Sequence, residues 1–144
     1  MKKFKGFVVA VLTTYLLATL FVSQGNLAAI AAFGLPVDMA TRLHAAWHDM
    51  THMVMLFLPL SLIALLIAFL VCAWLCKRFP QATAVLYPLA GFTALLTLIF
   101  SLNTVFGLTP IAPTRTLIGL LLQGLAGAAG GYIYYLMVAR TTTQ

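Results

Sequence analysis

Four long apolar stretches, separated by short polar or proline-containing breaks, dominate this chain. Residues from about 7 to 23, 54 to 76, 83 to 105 and 116 to 138 each hold enough consecutive apolar positions for a helical bilayer crossing, which takes roughly 20 residues. The pattern predicts an all-α integral membrane protein with four transmembrane helices. Such spans and their short connections use up the chain, so residues 1–144 read as a single membrane domain without a separate soluble unit.

The connection between the first two spans breaks the pattern. Gln24 to Leu35 are mostly small and apolar, and this segment either extends the first span, re-enters the bilayer or rests in the interface. Pro36 interrupts it, and Asp38 is placed to cap a new helix by accepting from the free amides of its first turn. Beyond it Leu43, Ala46, Trp47, Met50, Val54 and Phe57 recur at helical spacing on one stripe. These positions predict an outward-facing amphipathic helix over about 38 to 53 that runs into the second span, with Pro59 kinking the junction.

Composition agrees with the pattern: 63% of residues are hydrophobic and only 7% charged, against about a quarter charged in soluble domains. Mean hydropathy is +1.08. The net charge of +6 comes from residues scattered near span ends, so it signals topology and gives no nucleic-acid surface. Lys2, Lys3 and Lys5 precede the first span, Lys77 and Arg78 separate the second from the third, and Arg140 follows the fourth; Arg42 and Arg115 fall on the other side. The positive-inside rule then predicts a multi-pass protein of the bacterial inner membrane with both termini cytoplasmic. The Met1-Lys2-Lys3-Phe4-Lys5 opening has the form of a secretory signal but is read as the start of a retained first span.

Candidate chemistry is concentrated in one place. All three histidines, His44, His48 and His52, recur at intervals of four, beside Asp49 and Met50. Each is rotated only about 40° from the last, so they share one side of a helix, roughly opposite the stripe of Trp47 and Met50. Adjacent members can meet around one ion, whereas His44 and His52 lie about 12 Å apart in helical rise. Imidazole with thioether suits copper, and imidazole alone suits zinc; equally, an interfacial helix carries histidines on its wet side. The diiron membrane desaturases and hydroxylases resemble this chain in one His-x-x-x-His element, but their further histidine boxes are absent, which argues against an autonomous oxygenase. No catalytic set of nucleophile or paired carboxylates is visible.

Further patterns concern packing and placement in the membrane. Tyr15, Thr19 and Ser23 in the first span, and Thr93, Thr97 and Ser101 in the third, form hydroxyl stripes of the kind that face neighbouring helices. In the fourth span Gly119, Gln123, Gly127 and Gly131 recur at intervals of four, a close-packing surface for another helix of this chain or of a partner. Tyr132, Tyr134 and Tyr135 mark a membrane interface. Cys72 and Cys76, spaced by four on one helix, are poorly placed for a disulfide and read as small buried thiols.

These features favour a non-enzymatic accessory or interaction subunit of a larger bacterial inner-membrane assembly, contacting lipids and other membrane chains or itself. The alternatives are a copper- or zinc-handling protein using the His/Met-rich helix and, behind it, a membrane-embedded enzyme acting on a lipid or quinone.

Overall fold

The computed structural model describes residues 2–34, 36–106 and 116–139, and these contain no strand. Helix α1 spans Lys2–Ala32, α2 Met39–His52, α3 Val54–Arg78, α4 Thr83–Phe106 and α5 Leu117–Tyr134. A 3₁₀ turn, Pro80–Ala82, leads into α4, and a π-helical turn, Tyr135–Ala139, extends α5. Four of these, α1, α3, α4 and α5, are long and apolar enough to cross a membrane. Arg115 and Arg140, two of the topology markers, lie outside the described residues.

The bundle is held by close approach of backbones. Helix α5 packs against both α4 and α1, while α3 closes on α4 and touches α1 more sparsely. Gly91 and Gly127 face one another so tightly that a Cβ on either would strike the carbonyl oxygen of the other. A Cβ on Gly131 would meet the Tyr87 carbonyl, and one on Gly130 would meet the Thr14 hydroxyl. Where lipid tails are as apolar as side chains, association depends on such dense van der Waals contact. Around these contacts Ala10, Ala18, Leu65, Leu95, Ile99 and Ala126 are almost wholly buried.

Helix α1 is a single run of 31 residues, about 46 Å long. The segment from Gln24 therefore continues the first helix instead of forming a separate feature. It stops where Gly34, at φ 80, turns the chain, a conformation that glycine adopts without a Cβ penalty.

Helix α2 then folds back along α1. Arg42 Nη1 donates to Gln24 Oε1 at 3.0 Å, and Tyr15 Oη donates to the Met50 carbonyl at 2.5 Å. The paired positions are about 14 Å apart along α1 and about 12 Å apart along α2, which fixes an antiparallel alignment. The last turn of α2 reaches Tyr15, near the middle of α1. The break before α3 falls at Met53, whose amide bonds the Asp49 carbonyl at 2.9 Å and whose carbonyl takes the Phe57 amide at 2.8 Å. Pro59 sits within α3 and not at the junction.

Asp38 caps α2 through the Thr41 amide at 2.8 Å. Hydrogen bonding from Thr41 holds its carboxyl below the ordinary value of 3.8. Because the folded-state value is depressed, the cap's contribution is complete above the ordinary aspartate range and is lost as pH falls through the lowered value. Asp38→Ala is expected to fray the first turn of α2 at neutral pH, whereas Asp38→Asn keeps the cap and removes its acid sensitivity. The chemical shift of the Thr41 amide, followed by NMR across the acid range, checks both.

Candidate functional site

The face by which α2 rests on the bundle is set by small residues. Ala46 is its one buried side chain, with Arg42, Ala45, Asp49 and Met50 half-buried around it. The stripe read from the sequence therefore splits. Ala46, Met50 and Phe57 turn inward, but Leu43 and Trp47 remain 67% and 69% exposed. Two alanines let α2 approach α1 closely, and the hydrogen bonds to Gln24 and Tyr15 fix that rotation. The large apolar side chains are carried to the flank, adjoining the exposed His44, His48 and Thr51.

The histidines do not form a chelate. His48 and His52 stack, with ring centroids 3.9 Å apart and planes inclined by 16°. An ion must lie in the plane of each ligating ring at about 2.0–2.1 Å from nitrogen, and two stacked, near-parallel rings aim their lone pairs side by side. His52 Nδ1 is 2.9 Å from the His48 carbonyl and 3.1 Å from the Thr51 hydroxyl. Asp49 turns to His48, at 3.6 Å. Met50 is engaged through its backbone by Tyr15. Among the described residues no three His, Cys, Asp or Glu side chains converge as a metal site.

The two hydroxyl stripes go different ways. Thr14, Thr19 and Ser23 are fully buried and Tyr15 nearly so, with Thr19 donating to the Tyr15 carbonyl at 2.8 Å. Thr93, Thr97 and Ser101 are exposed. They edge a shallow groove of about 340 Å³ between α3 and α4, contrary to the expectation that they face a neighbouring helix. The Thr93 hydroxyl instead donates to its own helix, at Leu89, which lets it face outward without an unmet bond.

The close-packing positions of α5 are spent inside the chain. Gly127 and Gly131 meet α4, and Gln123, 1% exposed, donates through Nε2 to the Ala18 carbonyl of α1 at 2.9 Å. Gly119 is half-buried at the other end of the stripe, its amide bound to the Thr116 side chain. Gly127, Gly131 and Gln123 are thus taken up by α4 and α1. The sequence contains Gly91 but no local pattern that marks it as the counterpart of Gly127; only the pairing of helices does so.

Gln123 Oε1 is buried without a partner among the described residues. Gln123→Leu should therefore change stability by less than about 1 kcal/mol, because loss of the bond to Ala18 is offset by removal of the unpartnered oxygen. Steric-trap unfolding in bicelles measures this difference. Tyr134, read as an interfacial ring, turns inward against Phe69 and Tyr87, at 4.8 and 5.1 Å between centroids. Cys72 and Cys76 remain free thiols with their sulfurs 3.8 Å apart.

Comparison with protein-family models, with curated proteins and with solved structures returns no match for this chain.

Proposed function

We propose that this chain is a non-enzymatic interaction subunit of a larger assembly in a bacterial inner membrane, and that the outer flank of α2 is its docking face. The observation that carries the reading is the exposure of Leu43 and Trp47 directly beside His44 and His48, on a helix that the bundle grips only through its small side. Buried aromatic anchors with a polar border are the usual composition of protein contact surfaces. The four apolar helices support membrane residence, and the distribution of Lys2, Lys3, Lys5, Lys77 and Arg78 supports placing that end of the bundle in the cytoplasm.

The chemistry of the face favours a different chain over a second copy. It offers three imidazoles, while its single acid, Asp49, is three-quarters covered and lies beside His48. A second copy brings only the same imidazoles and the same covered acid. A partner segment with an apolar contact for Trp47 and carboxylate or carbonyl acceptors for the imidazoles complements it.

The test compares tagged wild type with Leu43→Lys, purified from native membranes, with co-eluting proteins quantified by mass spectrometry. A stoichiometric partner that is present with wild type and lost with the variant, while the thermal transition of the bundle is unchanged, is the expected result. A partner retained equally by both would overturn the assignment of this face.

A further inference from the structure

At the end of the bundle that carries the N-terminus, α1, α3, α4 and α5 border an open cleft of about 620 Å³, within the roughly 300–1,000 Å³ usual for small-ligand sites. Its long wall is apolar, formed by Phe7, Leu66, Phe69, Leu70 and Ala73. Its mouth is cationic: Lys3 stands on α1 and Lys77 on α3. The rings of Tyr87 and Tyr134 also line it, packed on Phe69 at 5.8 and 4.8 Å. Neither phenol hydroxyl has a hydrogen-bond partner among the described residues.

Three properties identify an occupant. From Leu66 to Lys77 the wall runs about 16 Å along α3, the depth of one leaflet, or half of a hydrocarbon core of about 30 Å. Apolar wall and cationic mouth are therefore spaced as acyl chain and headgroup are spaced in a single phospholipid. Secondly, this end holds Lys2, Lys3, Lys5, Lys77 and Arg78, whereas both acidic residues of the chain, Asp38 and Asp49, belong to the segment around α2. Neither Lys3 nor Lys77 has a carboxylate partner among the described residues, so both are available to a phosphate. Thirdly, the two phenols line the same cleft and supply hydrogen-bond donors beside its apolar wall.

We infer that this cleft is a binding site for one anionic phospholipid, with an acyl chain along Phe69 and Leu70 and the phosphate held between Lys3 and Lys77. The site is independent of the α2 docking face. A neutral lipid fits the wall but leaves both ammonium groups without a counter-charge, so the site discriminates by headgroup. A lysine near an anionic lipid surface is worth about fivefold in affinity, and two give roughly 25-fold.

The experiment reconstitutes the full chain in bilayer discs containing equimolar dioleoylphosphatidylglycerol and dioleoylphosphatidylcholine with added ubiquinone. The ligands retained after mild detergent extraction are then counted by native mass spectrometry. Wild type is expected to retain one phosphatidylglycerol per chain, enriched roughly 25-fold over phosphatidylcholine. K3Q/K77Q should bring the enrichment close to unity, while K2Q/K5Q, which removes the same charge outside the cleft, should leave it intact. Ala73→Trp, which fills the wall, should remove the retained lipid. Equal retention of both phospholipids by wild type, equal loss in the two double variants, or retention of ubiquinone in place of phosphatidylglycerol would each overturn the site.

Discussion

Gly127→Leu is expected to abolish the native bundle. A Cβ at this position meets the Gly91 carbonyl of α4, so the obstruction is backbone and no rotamer change relieves it. Overpacking of a core typically costs about 1–3 kcal/mol, and more where nothing can yield; here α4 and α5 have to move apart along the contact that organises the fold. The loss extends to α1, because Gly130 and Gln123 on the same helix hold it. Even Gly127→Ala should lower the midpoint of thermal unfolding in detergent, with leucine giving little folded protein. The reciprocal Gly91→Ala should resemble Gly127→Ala, and the double variant should cost less than the sum, since both changes open the same gap. Fluorescence-detected size exclusion with a thermal ramp distinguishes these outcomes. A leucine variant that elutes and melts like wild type would mean that the helices do not touch there.

Trp47→Ala should have the opposite signature: an unchanged bundle and a lost partner. The ring is 69% exposed, so truncating it removes little from the folded chain. If Trp47 is the anchor of the docking face, its loss weakens association by about 2–4 kcal/mol, or roughly 30- to 1,000-fold. Binding titrations in bilayer discs against the co-purified partner measure this, with the melting transition as control. Substitution at His44, on the border of the face, should act more weakly, because border contacts contribute less than a desolvated centre.

Local pattern made the elements legible and left their relations open. The α3, α4 and α5 spans follow from apolar run length, and the start of α2 follows from Pro36 and Asp38. The length of α1 was not fixed by hydropathy, because small residues such as Ala28, Ala29, Ala31 and Ala32 suit both a helix and an interfacial loop. The rotation of α2 was missed for a physical reason: side-chain size favoured burial of Trp47, but backbone approach at Ala45 and Ala46, with hydrogen bonds from Tyr15 and Arg42, decided which side faces the bundle. Those bonds join residues 35 and 18 positions apart and leave no periodic trace. Likewise, the glycines of α5 announce a close contact without naming the helix they meet. The cleft lysines are ordinary topology signals until α1 and α3 are placed side by side.

A docking role for α2 requires that a protein cover its outer flank. The most direct measurement places a photo-crosslinking amino acid at Trp47 in the full chain in native membranes, with Leu125, exposed on α5, as the comparison site. A discrete protein adduct of one mass from Trp47, with only lipid adducts from Leu125, is the predicted result. Lipid adducts alone from both positions would contradict it and leave the outer flank of α2 facing lipid.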